Sequence, residues 1–467
     1  MKLIDPANPV RATWFEDQGW RLDAKPYVSE TYSARMTMKR LPHTETLGDL
    51  TERIFRPGIF KRHWTNSEEY GVPFLSSADI FEADLSSLPM ITKKLFDRDP
   101  SLPLQPGWTL ITCSGMTAGR VTYARKEMTG YACTQDVLRV VPTEGILAGY
   151  LYTFLASRYG TAMIRGGVYG TSIKHIEPPH LANIPVPRLG KEIEGKINSL
   201  ITEAMEKRSR YQEGIVCSTA TLLRCTELSY LLDENWHAVR DTGFTVSGLN
   251  SASLRALNFS PRAQSLINDV KSTDYITLGE VCENGTLRTG ARFKRIESDS
   301  NSGVRLIGQR QVFWMRPEGR WINQKQAPAD IIQKDETVLV AAHGTLGENE
   351  VYAKAVFITG RSLSSAYSQD FLRINPGPSS PITGPYLFAF LRSNIAFRIL
   401  RSMSVGGKQQ EYHPALLRDL PIPLCGKKDQ DRITEMVRRA YRCRDEADAL
   451  EDEAMALLET AIREAAV

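Results

Sequence analysis

Two sets of residues in this sequence have types and spacing suited to surface chemistry. In the first, Arg120, Arg125, Lys126, Arg165, Tyr169, Thr171, Ser172, Lys174 and His175 fall in segments rich in Gly, Ser and Thr. In the second, Arg310, His343, Thr345, Lys408, Gln409, Gln410 and Tyr412 sit in matching places. Such segments combine backbone amides, hydroxyls and long cations, the groups that grip phosphates and reach base edges. Ordinary surface turns favour the same residues. What sets these apart is that they occur twice, and two like readers a fixed distance apart match a duplex.

Other chemistries lack their residues. No G-x-x-x-x-G-K-[ST] phosphate loop occurs. The nearest string, Ser402 to Gln409, has Ser402 where the first glycine should be and Gln409 after the lysine. There is no G-x-G-x-x-G, and no proline-proline-aromatic motif of an amino-methyltransferase. The seven histidines lack metal-ligand spacing, and the seven cysteines form no CxxC pair. Cys113 and His175 could be imagined as a nucleophile and its base, but nothing orients them; a small buried thiol is the simpler reading. No catalytic residue and no metal site are assigned.

The elements that must position the two sets form a repeat. Leu47-Gly48-Asp49 returns as Leu278-Gly279-Glu280, a shift of 278 − 47 = 231. Leu22-Asp23-Ala24 with Tyr27 returns as Leu254-Arg255-Ala256 with Phe259. Thr134-Gln135-Asp136-Val137-Leu138-Arg139-Val140 returns as Ser368-Gln369-Asp370-Phe371-Leu372-Arg373-Ile374. Pro185-Val186-Pro187 returns as Pro421-Ile422-Pro423, a shift of 421 − 185 = 236. So long a period is no solenoid; it is a tandem duplication of a domain with its helix. Within each copy short alternating runs broken by Gly and Pro predict strands. The clearest is Thr109 to Cys113, which enters the loop Ser114 to Arg120 and then Val121-Thr122-Tyr123; its copy is Thr337 to Ala342, followed by His343 to Gly347. Ile146 to Tyr159 and Tyr386 to Leu400 predict short helices. Each copy is therefore expected to be α+β.

A long charged helical run ends each copy. In the second, Met436, Ala440, Cys443, Ala447, Leu450, Ala454, Leu457 and Ala461 follow alternating steps of four and three, a heptad seam. The first places Ile193, Ile197, Leu200, Ala204 and Tyr211 on a similar face, with Gly214 as a weak point. Each run would be about 60 Å long at 1.5 Å per residue. So long a polar helix is stable only against a partner, and the economical partner is the other copy, packed antiparallel with pseudo-twofold symmetry. The expected layout is an N-terminal arm at 1–45, a first globular domain at 46–190, and a helix at 191–232. A second domain with its linking arm at 233–426 and a helix at 427–467 complete it.

Composition agrees. The chain has 467 residues, 42% hydrophobic and 24% charged, with a formal net charge of +4. That length suggests two to four domains; the charge is too small to prove a polyanion partner. Scattered cysteines favour a reducing, cytoplasmic setting. MKLIDPANPV lacks a signal-peptide apolar region, and no apolar run reaches membrane-spanning length.

With these residues in view, the chain resembles the specificity subunits of type I restriction-modification systems over nearly its whole length. The resemblance rests on the order domain, helix, domain, helix. It also rests on Arg21-Leu22-Asp23-Ala24, the strand and glycine loop at 109–121, and GTSIKH followed by LANIPVP in Gly170 to Pro187. The second copy departs at Gly406-Gly407-Lys408-Gln409-Gln410, where the family has a Gly-Ser/Thr turn. The long Trp- and Tyr-rich arm also suggests a relative in another methylation-based phage-defence system.

The resemblance implies a non-catalytic subunit with two tandem target-recognition domains. Each reads half of a split site in double-stranded DNA. The helices set the spacing and bind methyltransferase (modification) subunits, which carry S-adenosylmethionine; this chain binds no cofactor. A restriction or translocase subunit is a further partner the family admits. The alternatives are an enzyme with an unrecognised nuclease or methyltransferase site, and a coiled-coil protein-binding scaffold.

Overall fold

The computed structural model describes residues 12, 15, 27, 30–168, 175–247 and 253–466, apart from the side chains of Met116 and Asp233. Leu22-Asp23-Ala24 and most of GTSIKH lie outside the described residues. The chain divides into two compact units. The first takes in the described parts of Met1–Phe81, Leu88–Ser209 and Glu446–Val467; the second takes in those of Glu82–Ser87 and Arg210–Asp445. Both are mixed α+β.

In the first unit the strands are β1 (Thr44–Thr46), β2 (Thr51–Phe55), β3 (Trp64–Thr65), β4 (Gly71–Leu75) and β5 (Met90–Thr92). Then come β6 (Thr109–Thr112), β7 (Val121–Tyr123), β8 (Ala132–Cys133), β9 (Val137–Pro142) and β10 (Pro185–Pro187). The helices are α1 (Glu30–Arg40), α2 (Lys93–Phe96), α3 (Ala148–Ala156), α4 (Arg158–Gly166) and α5 (Pro178–Ala182). The main sheet has the order β2-β9-β6-β7, and a smaller one the order β3-β5-β4-β8. Of the N-terminal arm, α1 buries Thr31, Ala34 and Met38. The expected single helix at Ile146 to Tyr159 is two, because Ser157 ends α3 and caps α4 by accepting from the Gly160 amide.

The second unit repeats the plan. Its strands are β11 (Tyr275–Thr277), β12 (Thr286–Thr289), β13 (Val304–Ile307), β14 (Gly319–Ile322), β15 (Thr337–Ala341) and β16 (Ala355–Ile358). They continue with β17 (Ser365–Tyr367), β18 (Phe371–Asn375), β19 (Ser404–Val405), β20 (Glu411–Tyr412) and β21 (Pro421–Pro423). The long helix α6 (Lys191–Cys225) precedes them; α7 (Pro261–Lys271), α8 (Leu278–Val281), α9 (Gly384–Leu391), α10 (Asn394–Ser402), α11 (Pro414–Arg418) and α12 (Lys427–Ala465) complete the list. The main sheet, β12-β18-β15-β16, has the order of its counterpart.

The same bonds recur at nearly constant shift. Arg139 is buried inside the first unit and donates to the carbonyls of Cys133, Thr134 and Val137 at 2.8, 2.9 and 2.6 Å. Arg373, at 373 − 139 = 234, donates to those of Tyr367, Ser368 and Phe371 at 3.3, 3.4 and 3.4 Å. Each arginine thus fastens the turn that enters its central strand, satisfying carbonyls that burial would otherwise orphan. The Tyr150 hydroxyl donates to the Pro187 carbonyl at 2.5 Å, and that of Tyr386 to the Pro423 carbonyl at 2.8 Å. Strand β1 pairs with β10 and β11 with β21, so the proline tripeptides are edge strands in both units.

The long helices divide between the units. In the first, Ile197 and Ile201 of α6 join Ala454, Leu458 and Ile462 of α12 in one apolar core. Arg208 pairs there with Glu451 at 2.6 Å and Asp448 at 3.1 Å. In the second, Tyr211 meets Tyr441 edge-on at 5.2 Å, the Arg444 guanidinium lies over the Tyr211 ring, and Gly214 faces Ala440. Of the expected seam, Ala440, Cys443, Ala447, Ala454 and Ala461 are buried. Helix α6 stops at Cys225 rather than reaching Leu232. Glu227 takes φ 61°, the Leu228 amide donates to the Leu223 carbonyl at 2.7 Å, and that of Glu227 to Arg224 at 3.2 Å. That closes the helix with a left-handed turn.

Glu82–Ser87 comes from the first-copy sequence but belongs to the second unit. There Arg392 holds Asp84 by two bonds, at 2.7 and 3.2 Å, and Gln212 donates to the same carboxylate at 3.2 Å.

Candidate nucleic-acid interface

In the first unit, β6 runs out at Thr112 into the expected glycine loop. The Thr112 backbone and side chain close the loop, accepting from the amides of Gly119 at 2.8 Å and Arg120 at 3.1 Å. Gly115 and Gly119 have φ of 70° and 89°, conformations that suit glycine. Ser114 pairs with His175 in an antiparallel bridge, and the Ile176 amide donates to the Cys113 carbonyl at 2.9 Å. The Ser114 hydroxyl donates to Asp136 at 2.9 Å, and the Asp136 carbonyl accepts from the Cys113 amide. Beyond His175, Glu177 binds Arg56 through two bonds at 2.9 and 3.3 Å, a charge-assisted pair of fixed geometry. On the other side the stem of Arg165, at the end of α4, lies beside Gly119. The loop at 113–120, Arg165 and His175 thus form one ledge at the end of the main sheet.

The remaining first-set residues divide. Arg120 is half-buried, while Arg165 and Lys126 are exposed. Arg125 is only 3% exposed, so its guanidinium serves the interior and is closed to a duplex. Tyr169, Thr171, Ser172 and Lys174 lie outside the described residues. Cys113 is no nucleophile for His175: burial pushes its thiol up to about 12, and it faces the Gln135 carbonyl at 3.6 Å.

The second unit builds its ledge from different side chains. Gln309 accepts from the amides of Ala342 at 3.1 Å and His343 at 3.2 Å, and donates to the His343 carbonyl. The His343 ring stands between Asp370, 3.9 Å from Nδ1, and Glu411, 3.4 Å from Nε2. The Gln410 amide donates to the Gly344 carbonyl at 2.8 Å, so the β19–β20 hairpin seals onto the loop. From α10, Arg401 donates to the carbonyls of Gly347 at 2.9 Å and Thr345 at 3.5 Å. Arg255 donates to those of Gly406 at 2.9 Å and Ser404 at 3.3 Å.

Arg310, Thr345, Lys408 and Gln409 are exposed on this unit. Gln410 and Tyr412 are not available as readers. Gln410 is 3% exposed, its side chain turned to the Gly407 carbonyl. The Tyr412 ring stacks on Tyr352 at 5.0 Å, and its hydroxyl donates to the Ala341 carbonyl at 3.0 Å. Both build the hairpin that carries Lys408 and Gln409.

Reading by residue type missed the groups that hold the ledges: Asp136, Asp370, Gln309, Arg255 and Arg401. The repeat could have found Arg401, since 401 − 165 = 236 is also the shift of the proline tripeptide. Among the described residues no group of three or more His, Cys, Asp or Glu could hold a metal ion, and no helix is long and apolar enough to cross a membrane.

No family model matches the chain, and no curated protein matches it. Solved structures similar to it include a type I restriction-modification system S subunit from M. genitalium, 13% identical, with 91% of this chain and 95% of that one covered at a TM-score of 0.35. Another, described as the structural basis of complex assembly and conformational transition in the type I R-M system, is 14% identical, with 90% and 98% covered at a TM-score of 0.26. A third is the HsdS subunit from Thermoanaerobacter tengcongensis, 12% identical, with 91% and 97% covered at a TM-score of 0.27.

Proposed function

We propose that this chain is a non-catalytic DNA-recognition subunit of the type I specificity kind, whose two target-recognition domains each read half of a split site in duplex DNA. The observation that carries this is the doubled ledge. In each unit a strand of the main sheet delivers a glycine loop to an aspartate, Asp136 or Asp370, and an arginine from the second helix of a pair, Arg165 or Arg401, lies against the loop. Two ledges of one plan with different side chains suit two half-sites of different sequence. Exposed Arg165, Lys126, Lys408, Gln409, Arg310 and Thr345 supply phosphate contacts and base-edge donors.

Helices α6 and α12 act as an antiparallel coiled coil that sets the gap between half-sites and receives methyltransferase subunits. Those subunits bring S-adenosylmethionine, and a nuclease-translocase subunit can join. The pairing is supported inside the second unit, where later residues of α6 meet earlier ones of α12: Tyr211 meets Arg444 and Gly214 meets Ala440. A seven-residue insertion in both helices tests the ruler. It keeps the heptad register and lengthens each helix by about 10 Å. At 3.4 Å per base pair the methylated site should gain about three base pairs in its gap, with both halves unchanged. Methylation at the original spacing would refute the ruler.

A further inference from the structure

Each unit carries a second basic segment outside its ledge. Between β2 and β3 the chain reads Arg56-Pro57-Gly58-Ile59-Phe60-Lys61-Arg62-His63, and between β12 and β13 it reads Gly290-Ala291-Arg292-Phe293-Lys294-Arg295-Ile296. Phe-Lys-Arg thus recurs at 293 − 60 = 233, inside the range of the other repeats. The aromatic ring faces inward both times. Phe60 packs on the cluster of Phe74, Ile91 and Leu102, and Phe293 on that of Val304, Leu306 and Ile322.

The arginines also do the same thing. Arg62 places Nη2 3.1 Å from the Thr134 hydroxyl and 3.9 Å from Asp136. Arg295 places Nη2 3.2 Å from the Gln369 side-chain oxygen and 3.8 Å from Asp370. Asp136 and Asp370 are the carboxylates that Ser114 and His343 face in the ledges. In the first unit the other end is held as well, by Arg56 on Glu177. Each segment is therefore tied to its ledge by the same carboxylate. The ring is spent on packing and the arginine on the aspartate, which leaves the lysine between them. Lys61 and Lys294 are exposed. So are the residues at the tips: Ile59, 88% exposed in the first unit, and Arg292 in the second.

We infer that the two Phe-Lys-Arg segments are further DNA-contacting elements, in which Lys61 and Lys294 each neutralise a backbone phosphate beside the bases that the ledge reads. This rests on the reading of each unit as a duplex binder. Arg292 gives the second unit an additional cation at the same edge, while Ile59 gives the first an uncharged apolar tip. The two half-sites are then gripped by one device, with one more cation on the second.

The test is the salt dependence of binding by the full chain to a random-sequence duplex. Each lost phosphate contact lowers the slope of log affinity against log salt by about 0.9. Lys61→Ala with Lys294→Ala should lower it by about 1.8, and adding Arg292→Ala by about 0.9 more. Lys61→Arg with Lys294→Arg should retain the wild-type slope, which separates a charge effect from a packing one. A wild-type slope in the double alanine variant would overturn the inference and leave the DNA-reader proposal standing. A wild-type chain with no salt-dependent duplex binding would overturn both.

Discussion

Replacing Gly214 by alanine should bring no gain in stability, and a loss of up to about 2 kcal/mol, although alanine is the better helix former. In a helix interior alanine is favoured over glycine by about 1 kcal/mol. A Cβ on Gly214, however, would lie 2.8 Å from the Cβ of Ala440 and 3.5 Å from its Cα. Carbon atoms prefer separations of roughly 3.5–4.0 Å, so the two helices must part or bend. Overpacking of that kind costs about 1–3 kcal/mol. The clash therefore offsets or exceeds the propensity gain, and the net change runs from about zero to a loss of about 2 kcal/mol. Gly195 in the same helix is the control, because a Cβ there meets nothing within 4 Å. Gly195→Ala should stabilise by up to about 1 kcal/mol. Ala440→Gly added to Gly214→Ala moves the methyl group to the facing helix and should recover the loss, giving a coupling of about 1–3 kcal/mol. Urea denaturation followed by circular dichroism on the wild type, Gly214→Ala, Gly195→Ala, Ala440→Gly alone and the double variant reads all three numbers. If Gly214→Ala stabilises as much as Gly195→Ala and shows no coupling to Ala440, the close approach of the helices is wrong.

Arg139→Met should leave the carbonyls of Cys133, Thr134 and Val137 without their donor and cost about 1–3 kcal/mol for each orphaned group that water cannot reach, read as a lowered urea midpoint. Burial pushes the thiols of both Cys113 and Cys282 up to about 12 from 9.0. Their contribution to stability is whole below pH 9 and lost as pH rises toward 12, since only the unfolded chain ionises there. Alkylation at pH 8 followed by mass mapping should accordingly label exposed Cys217 and spare Cys113. Arg401→Ala removes the donor to the carbonyls of Thr345 and Gly347, and hydrogen exchange should quicken in 343–347 while the loop at 113–120 stays as it was.

The repeat was plain in the sequence because Leu-Gly-acid, the Gln-Asp run and the proline tripeptide each fix a backbone event that occurs twice. Strand β7 matches its expected span, and β6 stops one residue short of Cys113, where the loop takes over. Side-chain exposure in the loops was less legible. Gln410 and Tyr412 are polar residues in a glycine-rich run, yet both are turned inward, Gln410 by its bridge to Gly344 and Tyr412 within the short hairpin strand β20. Arg125, next to Lys126 in a basic stretch, is likewise buried. The end of α6 was hidden because a glutamate, Glu227, takes the left-handed position where glycine would have marked the stop. Lys61 and Lys294 stand in stretches with few Gly, Ser and Thr residues, and their equivalence lies in the tertiary structure, where Arg62 and Arg295 meet equivalent aspartates. The share of Glu82–Ser87 in the second unit is fixed by partners far along the chain, among them Gln212 and Arg392, the latter more than 300 residues away, and no local pattern announces it.

The claim that the chain reads a split site is tested most directly by selection from a random duplex library with the purified chain and its methylating partner. Two short specified blocks separated by an unspecified gap of one length are expected among the selected duplexes, and exchanging Arg165 for alanine should blur one block only. A single unbroken motif, or no enriched sequence at all, would contradict the account.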